Sequence, residues 1–187
     1  MPIKHPATAN YVVFSFAMLL LSSSGFLGRS LTIAPPLTIW WRAAIALVLL
    51  SSYCVYQGLS FKLVNNKQKL AAVTAGVLMA VHLVTYFYAL QWSNVAVAML
   101  AVFTFPAMTT LLEPLLLKKP FQSVHLLLGL LVLIGIYFLA PEFDLQNDIT
   151  AGLLMGLVSA FVFSLRNILL KTQVDGTEAS ILMFYQM

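Results

Sequence analysis

Four ionisable side chains, Arg42, His82, Glu113 and Arg166, stand inside stretches otherwise given over to Leu, Val, Ala and Phe. A charge at the centre of a hydrocarbon layer costs about 2.5–3.5 kcal/mol on insertion scales, so such groups face a cavity or a partner. Arg42, in PPLTIWWRAAIALVLL, has two readings: a cation facing a polar interior, or a side chain snorkelling to an interface beside Trp40 and Trp41. His82, with an ordinary imidazole pKa of about 6.5, suits a proton relay; its bland alternative is a neutral ring bonded to a neighbouring helix. Tyr86 follows one helical turn later on the same face, and either lines the same space or packs. Glu113, one turn inside the Lys118-Lys119 end, takes a coupling proton or locks onto Lys118, Lys119 or Arg166.

Other chemistries lack their residues. The single cysteine, Cys54, leaves no internal disulfide, and no Cys/His cluster has zinc-ligand spacing. No G-x-S-x-G, H-E-x-x-H or phosphate-cradling loop occurs, and the histidines are scattered at 5, 82 and 125. Neither an enzyme, a metal site nor a cofactor is expected. The chain's 187 residues are 61% hydrophobic and 9% charged, against roughly 25% charged in an average soluble domain, which makes lipid the expected solvent. The net charge of +4 does not call for nucleic acid, because the basic residues fall between apolar runs, where they orient the chain.

The elements that must position these residues are membrane-length apolar runs of about 20 residues each. After a polar lead over 1–10, spans are expected at about 11–31, 36–57, 70–91, 94–117 and 123–140, then an acidic outer loop over 141–149. A sixth span over about 150–170 and an apolar stretch from about 179, cut off at Met187, complete the sequence. The run 94–117 has Pro106 in its middle, which predicts a kink near mid-depth, and Glu113-Pro114 near its end, where the helix is expected to stop early. Gly129 and Gly135 are expected to allow close helix approach in the fifth span. Lys4, Lys62, Lys67, Lys69, Lys118, Lys119 and Lys171 share one side if the spans alternate, and only Arg29 opposes them. This bias places the N-terminus in the cytoplasm.

Spans one and six repeat one another. Met18 matches Met155, Leu20 matches Leu157, Ser22 matches Ser159, Phe26 matches Phe163 and Arg29 matches Arg166. An odd, five-span unit would enter the membrane upside down in its second copy, the arrangement from which alternating access about a midplane site is built. Arg29 and Arg166 then mark two mouths of a pathway, or are plain terminal anchors. Ser22, Phe26, Ser159 and Phe163 are cavity or gate candidates, with ordinary helix packing as their alternative.

The order GFLGRSL, PPLTIWWRA, YFYALQWSNVAVAMLAVFTFPAMTTLLEPLLLKKP and GLLVLIGIYFLAP resembles an EamA-type protein of the drug/metabolite transporter superfamily. The resemblance covers about 11–140 as one complete repeat and 150–187 as the start of a second. It implies an all-α polytopic membrane protein: a five-helix EamA repeat plus the start of an inverted second repeat, about six to seven transmembrane helices. It also implies a multi-pass location in the cell (inner) membrane and a permease or exporter of small metabolites, amino acids or drugs. In that reading the partners are the lipid bilayer, a small-molecule substrate and either the missing second half or a second copy. Arg42, His82 and Tyr86 are the expected substrate contacts, and Ser22, Phe26, Arg29, Trp41, Pro106, Glu113, Ser159, Phe163 and Arg166 the expected cavity or gate residues. The rival readings are a non-transporting scaffold or sensor half, and a dimeric carrier like the small multidrug-resistance proteins, which the strong lysine bias disfavours.

Overall fold

A computed structural model describes residues 7–30, 32–59, 61, 66–118, 120, 123–139, 147–173 and 179–187. Every element in them is helical: α1 Ala7–Ser30, α2 Pro35–Tyr56, α3 Asn66–Trp92, α4 Val95–Val102, α5 Phe105–Leu117, α6 Ser123–Leu139, α7 Asp148–Gln173 and α8 Ala179–Phe184. Four stretches among the described residues are long and apolar enough to cross a membrane: Pro35–Tyr56, Asn66–Trp92, Val95–Leu117 and Asp148–Thr172. In lipid such helices satisfy their own backbone. The start of the expected lead, most of the acidic loop, Lys62 and Lys119 lie outside the described residues, as do the side chains of Phe26 and Arg29.

Local sequence sets the helix ends. Pro35 and Pro36 open α2, where a missing N–H costs nothing. Its other end closes on Gly58 at φ +65°, with Leu59 N–H donating to the Cys54 carbonyl at 2.9 Å and Gly58 N–H to Val55 at 3.1 Å. That paired closure needs a residue in the left-handed region, which glycine enters without strain. Asn94 turns the chain between α3 and α4, its Oδ1 accepting from Val97 N–H at 2.9 Å.

The run carrying Pro106 is interrupted at Phe103–Thr104, where α4 ends and the proline enters the first turn of α5. Both junction residues keep right-handed helical dihedrals, and Val95–Leu117 remains one membrane-length stretch. Thr104 closes the first piece, donating to the Ala101 carbonyl from its N–H at 3.2 Å and its hydroxyl at 2.6 Å. Pro106 thus falls in a first turn, where its absent donor is least missed. Pro114, expected to end the helix, instead lies buried within α5, which runs on to Leu117 and stops where Lys118 adopts φ 51°. One lost backbone bond near a helix end did not outweigh continuing the turn.

The core is the seam of α3 with α7, the most extensive interface, flanked by α4 and α5. Apolar burial cannot pull helices together in lipid, so close approach of small residues and hydrogen bonds between helices take its place. A Cβ on Gly152 would stand 2.6 Å from Ser93 Cβ, and one on Gly156 2.6 Å from Ala101 Cβ. Gly76 of α3 likewise leaves room for the backbone of Tyr185 and Gln186 just past α8. Of the two glycines expected to seat α6, Gly129 does approach Leu111 of α5, at 3.1 Å for an added Cβ. Gly135 does not: it faces open space.

Candidate functional site

Beside the α3–α7 seam lies a cavity of about 330 Å³. One face of α3 supplies most of its wall, with Met79, His82, Leu83, Tyr86 and Phe87 at the three- and four-residue spacing of a helical stripe. Opposite stand Met18 and Ser22 of α1, Arg42 of α2, Met99 and Val102 of α4, and Phe163 of α7. Phe103 and Phe105, on either side of the α4–α5 break, finish the lining. Because Pro106 has no N–H, the carbonyl of Val102 four residues earlier has no helical donor in register, at a position on this wall.

His82 is 7% exposed and fixed from behind. Its Nδ1 lies 2.8 Å from Ser159 Oγ and 3.1 Å from the Ser159 carbonyl, and Ser159 Oγ lies 2.8 Å from the His82 carbonyl. A serine hydroxyl has one proton. If it goes to the His82 carbonyl, Nδ1 must be the donor to Ser159, which makes Nε2 the lone-pair edge of the ring. That edge has no hydrogen-bond partner among the described residues. The ring stacks on Phe163, 4.5 Å away at 27°, and lies parallel to Tyr86 at 6.4 Å. Phe105 meets Phe163 edge-on at 4.9 Å.

Arg42 places its guanidinium carbon 5.3 Å above the ring of Phe87, a side chain only 1% exposed. No hydrogen bond or ion pair engages Arg42 among the described residues. Its interfacial neighbours go elsewhere: Trp41 packs edge-on against Trp40 at 5.0 Å, outside the cavity lining. Ser22 reaches the lining but spends its hydroxyl proton on the Met18 carbonyl at 2.9 Å.

The structure thus brings Ser22, Arg42, His82, Tyr86 and Phe163 to one cavity, with Ser159 behind it. Trp41, Pro106, Glu113 and Arg166 stand outside that lining. Pro106 lines a separate cleft of about 390 Å³ between α5 and α6, with Leu128 and Leu131. Arg166 is no free anchor: its Nε donates to Gln186 Oε1 at 3.0 Å, a second nitrogen donates to the same oxygen, and Nη1 donates to Asn167 Oδ1 at 2.9 Å. Its guanidinium also lies 5.5 Å from the Phe163 ring. Glu113, expected to meet Lys118, Lys119 or Arg166, is joined by Lys171 Nζ at 2.7 Å. Met79, Met99 and Phe87 were not anticipated, although extending the His82–Tyr86 face by one turn backwards reaches Met79.

The sequence model of the EamA-like transporter family matches residues 9–140 of this arrangement. The chain belongs to that family. No curated protein and no solved structure gives a match. As an EamA-like protein it is a multi-pass membrane protein of a transporter family, not of an enzyme family. The family match ends before α7 begins, yet α7 supplies Phe163 to the cavity of this EamA-like protein and Ser159 to its histidine.

Proposed function

We propose that the protein is a permease or exporter of small molecules, metabolites, amino acids or drugs, in the cell (inner) membrane, working by alternating access between inverted repeats. The observation that carries this reading is the cavity walled by Arg42, His82 and Tyr86 within membrane-length helices. A cation with no ion-pair partner among the described residues and a histidine edge bordering an apolar space are what a transient polar guest needs and a static bundle avoids. The match of α1 to α7 supports the inverted geometry, and the lysine bias supports an N-terminus in the cytoplasm.

Comparing metabolites exported by cells making the wild-type protein and cells making Arg42→Leu at equal membrane abundance tests the reading. Wild type should change the medium and Arg42→Leu should abolish the change; identical media with vector, wild type and variant would remove the carrier. Reporters fused after Gln68 and after Asp144 should land in opposite compartments, and the same compartment for both would overturn the threading. A scaffold reading draws on the His82–Ser159 docking, which joins two helices. Reaction of a Tyr86→Cys variant, in a Cys54→Ser background, with a membrane-impermeant thiol reagent separates the two, since a scaffold offers no water path to that position.

A further inference from the structure

Resting on the carrier reading, the charges around the cavity narrow what it carries. Among the described residues, Arg42 is the only one lining the cavity with a formal charge, and no carboxylate joins it there. The described acidic groups lie elsewhere: Glu113 is joined by Lys171, and Asp148 opens α7. The guanidinium carbon lies 5.3 Å from the centroid of Phe87. No hydrogen bond or ion pair among the described residues uses its N–H donors, so the fork that grips a carboxylate through two parallel bonds stays open. Tyr86 adds a hydroxyl with no hydrogen-bond partner among the described residues.

The remaining wall is soft and apolar. Met18, Met79 and Met99 adapt their thioethers to varied shapes, while Phe105 and Phe163 offer aromatic surface. A volume of about 330 Å³ is at the small end of ligand sites, which run from roughly 300 to 1,000 Å³, and admits a single ring or short branched chain.

We infer that the cavity selects small organic monoanions, a carboxylate on Arg42 joined to an apolar or aromatic body lying against the methionine and phenylalanine walls. Cationic guests are disfavoured, because they would meet Arg42 with no carboxylate among the described wall residues to offset it. The test is direct binding to the purified full chain in lipid nanodiscs, using 3-phenylpropionate, 3-phenylpropanamide and 3-phenylpropylamine, which share a body and differ in charge. The carboxylate should bind about tenfold or more tighter than the amide, the gain expected of a charge-assisted pair, and the amine weakest. Arg42→Gln should remove that preference, bringing the carboxylate to within about twofold of the amide measured on the same variant. Equal binding of carboxylate and amide to the wild-type protein overturns the anion assignment, as does a preference that survives Arg42→Gln or no carboxylate binding at all. The export comparison above judges the carrier reading separately, so the two fail independently.

Discussion

Helices α1 and α7 share Met, Leu, Ser, Phe and Arg at matched positions, yet they live in different surroundings. Ser22 bonds back to its own helix at the Met18 carbonyl, whereas its counterpart Ser159 is fully buried and bonds across to His82. The matched residues do not explain this difference. The unmatched ones do: α7 carries Gly152 and Gly156, four residues apart, where α1 carries Ser15 and Leu19. Leu19 is 69% exposed, while Gly156 admits Ala101 to a distance no side chain would allow. Bare backbone, not shared polar residues, decides which helix enters the core.

The hardest way to break that contrast is to give α7 the residue α1 has. Gly156→Leu drives a side chain into the methyl of Ala101, which cannot swing aside. It should cost about 3 kcal/mol or more, the upper end for overpacking, read as a lowered detergent unfolding midpoint. Leu19→Ala, at the matched site, should change stability by under about 0.5 kcal/mol, because lipid tails are as apolar as leucine.

A smaller effect separates the two serines. Ser159→Ala strips the hydroxyl from His82 and should cost roughly 0.6–1.7 kcal/mol, the range for polar bonds between membrane helices. Ser22→Ala loses only a bond within its own turn, so its unfolding midpoint should not move measurably; equal losses at both sites would erase the distinction. Smallest of all is the ion pair at the far end of α7. Lys171 is 61% exposed, so Lys171→Ala should cost under about 1 kcal/mol, less again at high salt. A salt-independent loss as large as that of Gly156→Leu would show α7 to be anchored by its end and not by its glycines.

Much of the architecture was legible because apolar runs of membrane length, punctuated by Pro, Gly and Lys, admit few alternatives. A proline at 106 announced an interruption, but whether it bends a helix or begins one depends on Thr104 closing the preceding turn, a choice made by neighbouring hydroxyls. Gly152 and Gly156 were as visible in the sequence as Gly129 and Gly135. Only packing tells which glycines meet a neighbour, and Gly135 meets none. The Glu113–Lys171 pair joins residues 58 apart, beyond the reach of any local pattern. Of the site, the ionisable residues stood out against their apolar setting, while Met79 and Met99 did not, because an apolar wall looks like any other apolar stretch.

The interruption at Phe103–Thr104 has a mechanical sequel. Both short rods lean on the same helix at different heights: α4 on the bare backbone at Gly156 of α7, α5 through the Phe105 carbonyl to Ser164 and through Glu113 to Lys171. One rail thus carries both halves of the interrupted crossing, and a displacement of α7 would be felt on each side of the junction, where Phe103 and Phe105 line the cavity.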